Sequence, residues 1–223
     1  CLFPYAGEAY FYGSLSEPMS CIVGGYHANY HVKQGTYVHE MGIREGGNLA
    51  ILAGAGPMGL GAVDYAVHCD RKPALVVVTD IDTARLDRAA SIVTPEEAAR
   101  QGVKLVYLNT NACENAAASL RALTDGQGFD DVFVYAPVRS VVEMADSLLA
   151  RDGCLNFFAG PTDTAFSAMF NFYNVHYSGT HIVGTSGGNS ADMLESIAMM
   201  EKGEIDPAAM ITHVGGLDSV CET

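Results

Sequence analysis

The chain has 223 residues, enough for one large domain or for one domain with attached segments, and 49% of the residues are hydrophobic. Its 12 lysines and arginines stand against 26 aspartates and glutamates, and the formal net charge of −14 argues against nucleic acid or an anionic membrane surface as a partner. Because no apolar run approaches the length of a bilayer span and the start lacks a signal-peptide pattern, we expect a cytoplasmic protein.

The start of the chain shows little regular pattern. Because the sequence begins at Cys1 rather than at Met, we interpret it as a piece of a longer protein. Residues 1–16 are rich in Tyr, Phe and Gly without a clear period, so we expect irregular structure or short strands there. The cysteines lie far apart and form no CxxC, which favours reduced thiols over a zinc lobe or a disulfide framework; they are Cys1, Cys21, Cys69, Cys113, Cys154 and Cys221.

A helix is favoured over the segment from Pro18 to His31. Proline suits the first turn of a helix and Glu17 suits its positive end, whereas the pair Gly24-Gly25 weakens the pattern. On such a helix His27 and His31 would share one face. Two interpretations stay open for them, namely histidines that pack or face solvent, which is the commoner case, and a metal-binding pair.

The stretch that organises the chain lies between Asn48 and Cys69. Residues 49–53 form a short apolar run that is typical of a strand buried in a parallel sheet, and from Met58 onward apolar and small residues recur at helical spacing. Between them lies GAGPMG, residues 54–59, a GxGxxG motif at the point where a strand turns into a helix. This motif in this context is typical of dinucleotide binding.

A structural reason can be given for each glycine of this loop and for its proline. We expect Gly54 to adopt the backbone angles of a tight turn, Gly56 to let a pyrophosphate approach the backbone, and Gly59 to let the helix pack closely. Pro57 can start the helix at little cost. The free N–H groups of the first turn, which includes Met58, would then face an anion above Gly56.

A second signal lies about 20 residues downstream, where a dinucleotide fold carries an acidic residue. Residues 74–79, ALVVVT, form another buried-strand run that ends at Asp80, which would accept hydrogen bonds from a ribose hydroxyl pair. A carboxylate there repels a 2′-phosphate, and the nearest arginine, Arg85, lies on a predicted helix, so we predict NAD(H) rather than NADP(H). The competing interpretation is an ordinary strand-turn-helix with a coincidental surface aspartate.

The rest of the chain continues the alternation of strands and helices. Strands are predicted at residues 103–108, 131–135, 154–159 and 181–183, and helices at residues 82–91, 94–102, 112–123, 138–150 and 192–202. This pattern predicts an α/β fold with a doubly wound, parallel, six-stranded sheet in the order 3-2-1-4-5-6, the Rossmann fold. Because ligands of this fold bind at the carboxyl ends of the strands, further candidates lie in the stretches 135–137, 159–161 and 184–186, which begin with Tyr135, Ala159 and Gly184. Within them the predicted cofactor contacts are Ala136, Ala159, Gly160, Gly184 and Thr185.

The connection between residues 162 and 179 is too aromatic for a plain solvated loop. Its rings belong to Phe166, Phe170, Phe172, Tyr173 and Tyr177. We favour core packing of these rings over stacking on a ligand.

Four segments resemble the zinc-type medium-chain alcohol and polyol dehydrogenases, on the sorbitol-dehydrogenase side of that family. They are Glu17-Pro18, GAGPMG at 54–59, VVVTDID at 76–82 and ITHVGGL at 211–217. In addition, DGCLNFFAGPTD at 152–163 and NFYNVHYSGTHIVGTSGG at 171–188 are similar to sugar-phosphate reductases of the L-sorbose 1-phosphate type. The resemblance covers about the whole chain in order.

The resemblance implies the cofactor domain of a medium-chain dehydrogenase, with NAD(H) bound here and zinc in the full-length protein. Glu17 would match a carboxylate near that zinc, either as a ligand or as a partner of its water, but the expected Cys and His-Glu pair have no counterpart. Residues 1–16 would be a remnant of the catalytic domain, residues 17–206 the dinucleotide-binding domain, and residues 207–223 the return to the catalytic domain. A homo-oligomer is expected.

Two functions from different classes therefore compete. The first is hydride transfer between NAD(H) and a polyol or alcohol, or the matching ketose or sugar phosphate, with zinc in the missing domain polarising the oxygen. The second is a non-enzymatic nucleotide-sensing domain of the same fold, and a methyltransferase is a weaker third interpretation. Glu17-Pro18 and ITHVGGL favour the enzyme, since a sensor needs no carboxylate at the nicotinamide end. The isolated chain is expected to bind cofactor without turnover.

Overall fold

The computed structural model describes residues 2–6 and 10–221, so Cys1 lies outside the described residues. The strands are β1 (Tyr30–Val32), β2 (His39–Met41), β3 (Asn48–Leu52), β4 (Leu75–Asp80), β5 (Lys104–Asn109), β6 (Phe129–Val134), β7 (Leu149–Phe157) and β8 (His181–Val183). The α-helices are α1 (Ser16–Ala28), α2 (Pro57–His68), α3 (Thr83–Ile92), α4 (Pro95–Arg100), α5 (Ala116–Ala122), α6 (Arg139–Leu148), α7 (Phe172–Ser178) and α8 (Ser190–Lys202). Short 3-10 helices cover Tyr10–Leu15, Thr110–Ala112, Pro207–Met210 and Leu217–Ser219.

The main sheet has six parallel strands in the order β5-β4-β3-β6-β7-β8. When only these six strands are numbered along the chain, from β3 as the first to β8 as the sixth, the order is 3-2-1-4-5-6. The predicted Rossmann topology is therefore confirmed. The register places Ala50 of β3 opposite Val77 of β4 on one side and opposite Val132 of β6 on the other. The point at which the chain order reverses therefore lies between β3 and β6.

Both faces of the sheet are covered, as expected for strands that read as continuous apolar runs. On one face Met19 and Ile22 of α1, together with Val63 of α2, pack in the same cluster as Ile51 and Phe133 of the sheet. On the other face, Leu120 of α5 and Val142 and Leu148 of α6 pack with Leu52 and Val132. Among the described residues, no helix combines the length and the apolar character that crossing a bilayer requires.

Helix α1 begins and ends earlier than predicted but runs without a break through Gly24 and Gly25. The absence of side chains there has a packing reason, because a Cβ on Gly24 would lie 2.9 Å from Oδ2 of Asp192 and one on Gly25 would lie 3.3 Å from the Phe158 ring. The glycines thus let α1 approach α8 and the sheet. The chain turns extended at Asn29, so the expectation that one helix carries both predicted histidines on a shared face is wrong.

A two-stranded antiparallel hairpin, β1 with β2, follows α1 and was not predicted. Each of its strands has three residues and every residue of β2 is exposed, so no apolar period marks it. The ring of Tyr30 lies between the rings of His39 and His181, at centroid distances of 4.3 Å and 4.0 Å. The hairpin thereby contacts β8 at the edge of the main sheet.

Several predicted boundaries and contacts also differ from the structure. Helix α5 begins at Ala116, where the Asn115 side chain caps it, rather than at residue 112, and β7 begins at Leu149, inside the predicted helix 138–150. In the aromatic connection, Phe166 and Phe170 pack against the core as expected. The same expectation is wrong for the rings of α7, since Phe172, Tyr173 and Tyr177 are 76%, 66% and 60% exposed.

Candidate dinucleotide-binding site

The glycine loop begins where β3 ends, at the reversal point of the sheet. Ala53 has a left-handed backbone with a φ of 55°, and the N–H of Gly54 donates to the carbonyl oxygen of Thr79 at 2.8 Å, which ties the loop to β4. Gly54 is not among the residues with positive φ. Residues 53–55 form a turn, so Gly54 lies in a tight turn as expected, while the left-handed position of that turn belongs to Ala53.

Gly54 and Gly59 are glycines for packing reasons. A Cβ on Gly54 would lie 2.6 Å from Cγ2 of Ile51, and one on Gly59 would overlap the carbonyl group of Gly54. Contacts this short cannot be relieved by a side-chain movement where the neighbour is backbone. The first turn of α2 thus lies directly against the glycine loop.

Gly56 has the opposite surroundings. It is the N-terminal cap of α2, with φ −82° and ψ 173° and no side-chain cap, and Pro57 occupies the first turn after it. A Cβ on Gly56 would have no atom within 4 Å. Above the backbone there is open space, faced by the N–H groups of the first turn, including those of Met58 and Gly59. These residues fit a pyrophosphate, which helix N-termini bind through their N–H groups and dipole.

Asp80 is the last residue of β4, the strand beside β3, and it is buried. Its Oδ1 accepts the N–H groups of Ile81 at 2.8 Å and Asp82 at 3.1 Å, which fixes the carboxylate at the strand end. Both bonds use the same oxygen, so Oδ2 keeps its capacity to accept from a ligand hydroxyl. Asp82 in turn caps α3 by accepting the N–H of Ala84 at 2.8 Å.

The other predicted contacts follow the carboxyl ends of β6, β7 and β8, and parallel strands bring these ends to one edge. Ala136 comes two residues after β6. The N–H of Ala159, after β7, donates to the carbonyl oxygen of Val134 at 3.0 Å, and a Cβ on Gly160 would have no atom within 4 Å. Gly184 and Thr185 follow β8 directly. The predicted residues therefore share the edge that carries the glycine loop.

Glu17 lies exposed in the first turn of α1. Its Oε1 accepts the thiol of Cys21, one turn along the helix, at 3.4 Å. Within residues 2–6 and 10–221 no group of three or more His, Cys, Asp or Glu side chains could hold a metal ion. The donors of this chain alone therefore do not fit a complete zinc site.

The two histidines considered as a metal pair have separate carboxylate partners. His27 Nδ1 lies 2.8 Å from Oδ1 of Asp192, and His31 Nε2 lies 3.2 Å from both oxygens of Asp131. His31 and Asp131 are buried. Burial lowers the pKa of His31, but the hydrogen bond and charge of Asp131 outweigh this effect, so that the pKa is raised above 6.5. The contact between His31 and Asp131 fastens the hairpin to the sheet.

A cleft of about 1000 Å³ lies elsewhere, beside the C-terminal half of α2. There His68 Nδ1 lies 2.9 Å from Oδ1 of Asp64, and the hydrogen bond to Asp64 raises the pKa of His68. The cleft contains no residue of the glycine loop and lies at the opposite end of α2 from the N–H groups. We therefore place the candidate site at the carboxyl ends of the strands and not in this cleft.

Comparison with known proteins identifies the family of the chain. Residues 57–202 match the family model described as zinc-binding dehydrogenase. The chain is 57% identical over its full length to mannitol-1-phosphate 5-dehydrogenase of Aliivibrio fischeri and 47% identical to L-sorbose 1-phosphate reductase of Klebsiella pneumoniae, covering 53% of each. It thus spans about half the length of the curated relatives that it matches.

The fold also matches that of solved structures. All of the chain superposes on 56% of a short chain alcohol dehydrogenase from E. coli CFT073, complexed with NADH, with a TM-score of 0.73 and 18% identity. At this identity the match concerns the fold alone. The family model, by contrast, covers well over half of the chain. The chain belongs to the zinc-binding dehydrogenase family.

Proposed function

We propose that this chain is the NAD(H)-binding domain of an oxidoreductase that interconverts a polyol, alcohol or sugar phosphate and its ketone by hydride transfer. One observation carries the proposal, namely the open space above Gly56 at the N-terminus of α2, with the carboxylate of Asp80 at the end of the neighbouring strand. An anion-binding helix end beside a ribose-binding acid is the arrangement that a dinucleotide requires.

Within this proposal each residue of the site has a role. The loop Gly54–Gly59, with Pro57 and Met58 in the first turn of α2, holds the pyrophosphate. Asp80 accepts the ribose hydroxyls of the adenosine half and selects NAD(H) over NADP(H), because its negative charge repels a 2′-phosphate. The nicotinamide half extends across the point where the strand order reverses. Its path is lined by Ala136, Ala159, Gly160, Gly184 and Thr185.

The catalytic half lies outside these residues in the same proposal. Residues 17–206 form the cofactor domain, while residues 1–16 and 207–223 lead to and from a catalytic domain that holds the zinc. Glu17 is the carboxylate that this chain presents toward it from the exposed first turn of α1. Since the described residues do not complete a metal site, we derive no catalytic step through zinc from them.

The substrate class is inferred from the relatives. Mannitol-1-phosphate 5-dehydrogenase and L-sorbose 1-phosphate reductase are both named for hexitol or ketose phosphates, and the present chain is 57% and 47% identical to them. We therefore expect a six-carbon sugar phosphate to be preferred over the free polyol. Neither nucleic acid nor a membrane is a partner in this proposal, and the cytoplasm is the proposed location.

The experiment uses the full-length protein. NADH formation or consumption is followed by absorbance with mannitol 1-phosphate, L-sorbose 1-phosphate, sorbitol and mannitol, each with NAD(H) and with NADP(H). Turnover of a phosphorylated substrate with NAD(H), lost on chelation of metal, is the expected result. Binding of NADH with no turnover of any polyol, ketose or sugar phosphate would instead favour a nucleotide-sensing domain.

A homo-oligomer belongs to the same proposal. Strand β8 ends the sheet, so its outer edge has no strand partner among the described residues, and Ile182 on it is 45% exposed. The exposed rings of Phe172, Tyr173 and Tyr177 lie on the helix that precedes it. An open strand edge beside exposed rings is a surface that a second copy of the chain can cover.

A further inference from the structure

Two residues that follow the carboxyl ends of strands carry buried hydroxyl groups with no hydrogen-bond partner among the described residues. One is the phenol of Tyr135, the residue directly after β6, and the other is the hydroxyl of Thr185, two residues after β8. A buried polar group without a partner is unfavourable, so such groups are rare in folded proteins and call for an explanation.

The missing hydrogen bond of Tyr135 is not shared by Tyr26, the other tyrosine that packs on Phe133. Its ring lies 4.6 Å from that of Phe158 and 6.5 Å from that of Phe133. Tyr26 stacks on the same Phe133 at 4.7 Å, yet its hydroxyl donates to the carbonyl oxygen of Ala62 at 2.8 Å. Burial raises the pKa of Tyr135, so its hydroxyl keeps its proton and remains a donor at neutral pH.

The other buried polar atoms without a partner in the described residues lie away from this edge. Thr180 precedes β8 and so lies at its amino end, Asn156 lies inside β7, and Arg71 follows α2. The Nε atom of Arg44 makes no well-aligned hydrogen bond, but it lies 2.9 Å from Oδ1 of Asp130, so the guanidinium charge is paired. Within residues 2–6 and 10–221, only Tyr135 and Thr185 combine an unsatisfied hydroxyl with a position at the carboxyl ends of the strands.

The sheet order fixes which half of a dinucleotide passes over these ends. With the pyrophosphate over Gly56 beside β3 and the adenosine ribose at Asp80 on β4, the nicotinamide half must extend the other way, over β6, β7 and β8. Neighbouring strands are about 4.8 Å apart, so the ends of β6 and β8 are roughly 10 Å apart. This spacing is comparable with the length of a nicotinamide riboside.

We infer that the hydroxyls of Tyr135 and Thr185 bind the nicotinamide riboside end of the cofactor, Tyr135 from the end of β6 and Thr185 from the end of β8. This inference rests on the proposed function and adds two positioning groups to it. The bound cofactor supplies the hydrogen-bond partners that both hydroxyls lack among the described residues. The two residues thereby fix the lateral position of the nicotinamide ring, which hydride transfer requires.

The test compares two ligands on the full-length protein and on single-hydroxyl variants. NADH contains the nicotinamide riboside, whereas ADP carries the adenosine and both phosphates without it. In Tyr135→Phe and in Thr185→Val we expect NADH to bind about fivefold more weakly, the size of one lost hydrogen bond, while ADP binds as in the wild type. Titration calorimetry with both ligands measures the ratio of the two dissociation constants.

The chain offers a matched control for each variant. Tyr26→Phe removes a hydroxyl from the same aromatic cluster, but one that already has a partner, so it should lower the unfolding temperature and leave the ratio of NADH to ADP affinity unchanged. Thr180→Val removes an equally unsatisfied hydroxyl from the other end of β8 and should leave both affinities unchanged. Tyr135→Phe, in contrast, should not lower the unfolding temperature of the unliganded protein.

The outcomes separate this inference from the proposed function. If the wild type binds NADH and ADP but Tyr135→Phe and Thr185→Val bind both ligands as the wild type does, the inference is wrong and the proposed function stands. Equal weakening of NADH and ADP would likewise overturn it, since it would indicate a general structural effect. If the wild type binds neither ligand, the proposed function fails and the inference fails with it.

Discussion

The backbone carbonyl of Gly54 occupies the space into which a Cβ on Gly59 would project. The first turn of α2 therefore packs on the loop with no room for a methyl group, and the neighbour that would have to move is backbone. We predict that Gly59→Ala lowers the free energy of unfolding by roughly 1–3 kcal/mol, the usual range for overpacking. Urea unfolding measures this value, with Gly160→Ala as the control, because a Cβ there meets nothing within 4 Å.

A contrasting prediction concerns Gly56, whose Cβ position is open. Its backbone angles suit any residue, so Gly56→Val should leave the free energy of unfolding within about 1 kcal/mol of the wild type. The branched side chain would nevertheless fill the place proposed for the pyrophosphate, and NADH binding should be lost. Calorimetric titration of a variant shown to unfold cooperatively checks this. Normal NADH binding by such a variant would remove the glycine loop as the site.

The cofactor preference can be tested at Asp80 with an isosteric change. In Asp80→Asn the amide oxygen can still accept the N–H groups of Ile81 and Asp82, so the strand end keeps its shape while the negative charge is removed. We expect wild type to bind NADH more tightly than NADPH, and the variant to narrow this difference by about tenfold, since repulsion of the 2′-phosphate disappears. Parallel titrations with both cofactors measure it. Tighter binding of NADPH by the wild type would refute the assignment.

Local patterns sufficed to predict the sheet. Strands β3 and β4 are short apolar runs buried on both faces, and glycines or aspartates follow or end them. The hydrophobic pattern and the strand-ending residues therefore agree with the tertiary structure. The hairpin Tyr30–Met41 gave no such signal, because its two strands have only three residues each and every residue of β2 is exposed. It is held by contacts that are distant in sequence, such as that between His31 and Asp131, which no local pattern encodes.

The site was predictable to a similar extent. The motif at 54–59 and Asp80 could be found from spacing, whereas the roles inside the motif depended on contacts, which is why the left-handed turn residue proved to be Ala53. The position of Tyr135 after a strand could be found from sequence, but its unsatisfied hydroxyl could not, since the hydroxyl of Tyr26 in the same aromatic cluster is bonded. Hydrogen-bond satisfaction is a property of the packed structure.

The oligomeric state can be tested on the rings of α7. If a second copy covers the edge of the sheet at β8, the double change Tyr173→Asp and Tyr177→Asp places charges in that contact and should lower the molar mass of the full-length protein in solution. Size exclusion with light scattering measures the mass. Tyr37→Asp is the matched control, since this fully exposed tyrosine lies in the hairpin loop between β1 and β2. A reduced mass in the control alone would place the contact at the hairpin instead.

The buried pair of His31 and Asp131 predicts how stability depends on pH. Nε2 of His31 lies 3.2 Å from the Asp131 carboxylate, and Nδ1 lies 3.0 Å from the carbonyl oxygen of Asp152, so the protonated ring can donate on both sides. The other charges facing it are those of the Asp152 carboxylate, at 3.6 Å, and the Arg44 guanidinium, at 3.3 Å. Because folding raises the pKa of His31, its protonated form stabilises the folded state.

The sign of this effect gives the last prediction. A group whose pKa is raised by folding contributes fully below its unfolded pKa of about 6.5, and the contribution disappears as the pH rises through the folded pKa. His31→Gln should therefore lower the free energy of unfolding by about 2 kcal/mol at pH 5.5, and by less at higher pH. Urea unfolding at several pH values measures the difference, with exposed His213→Gln as the control. A difference between wild type and His31→Gln that does not shrink above pH 6.5 would show that the ring is held unprotonated, with Asp131 acting only as an acceptor for a neutral N–H.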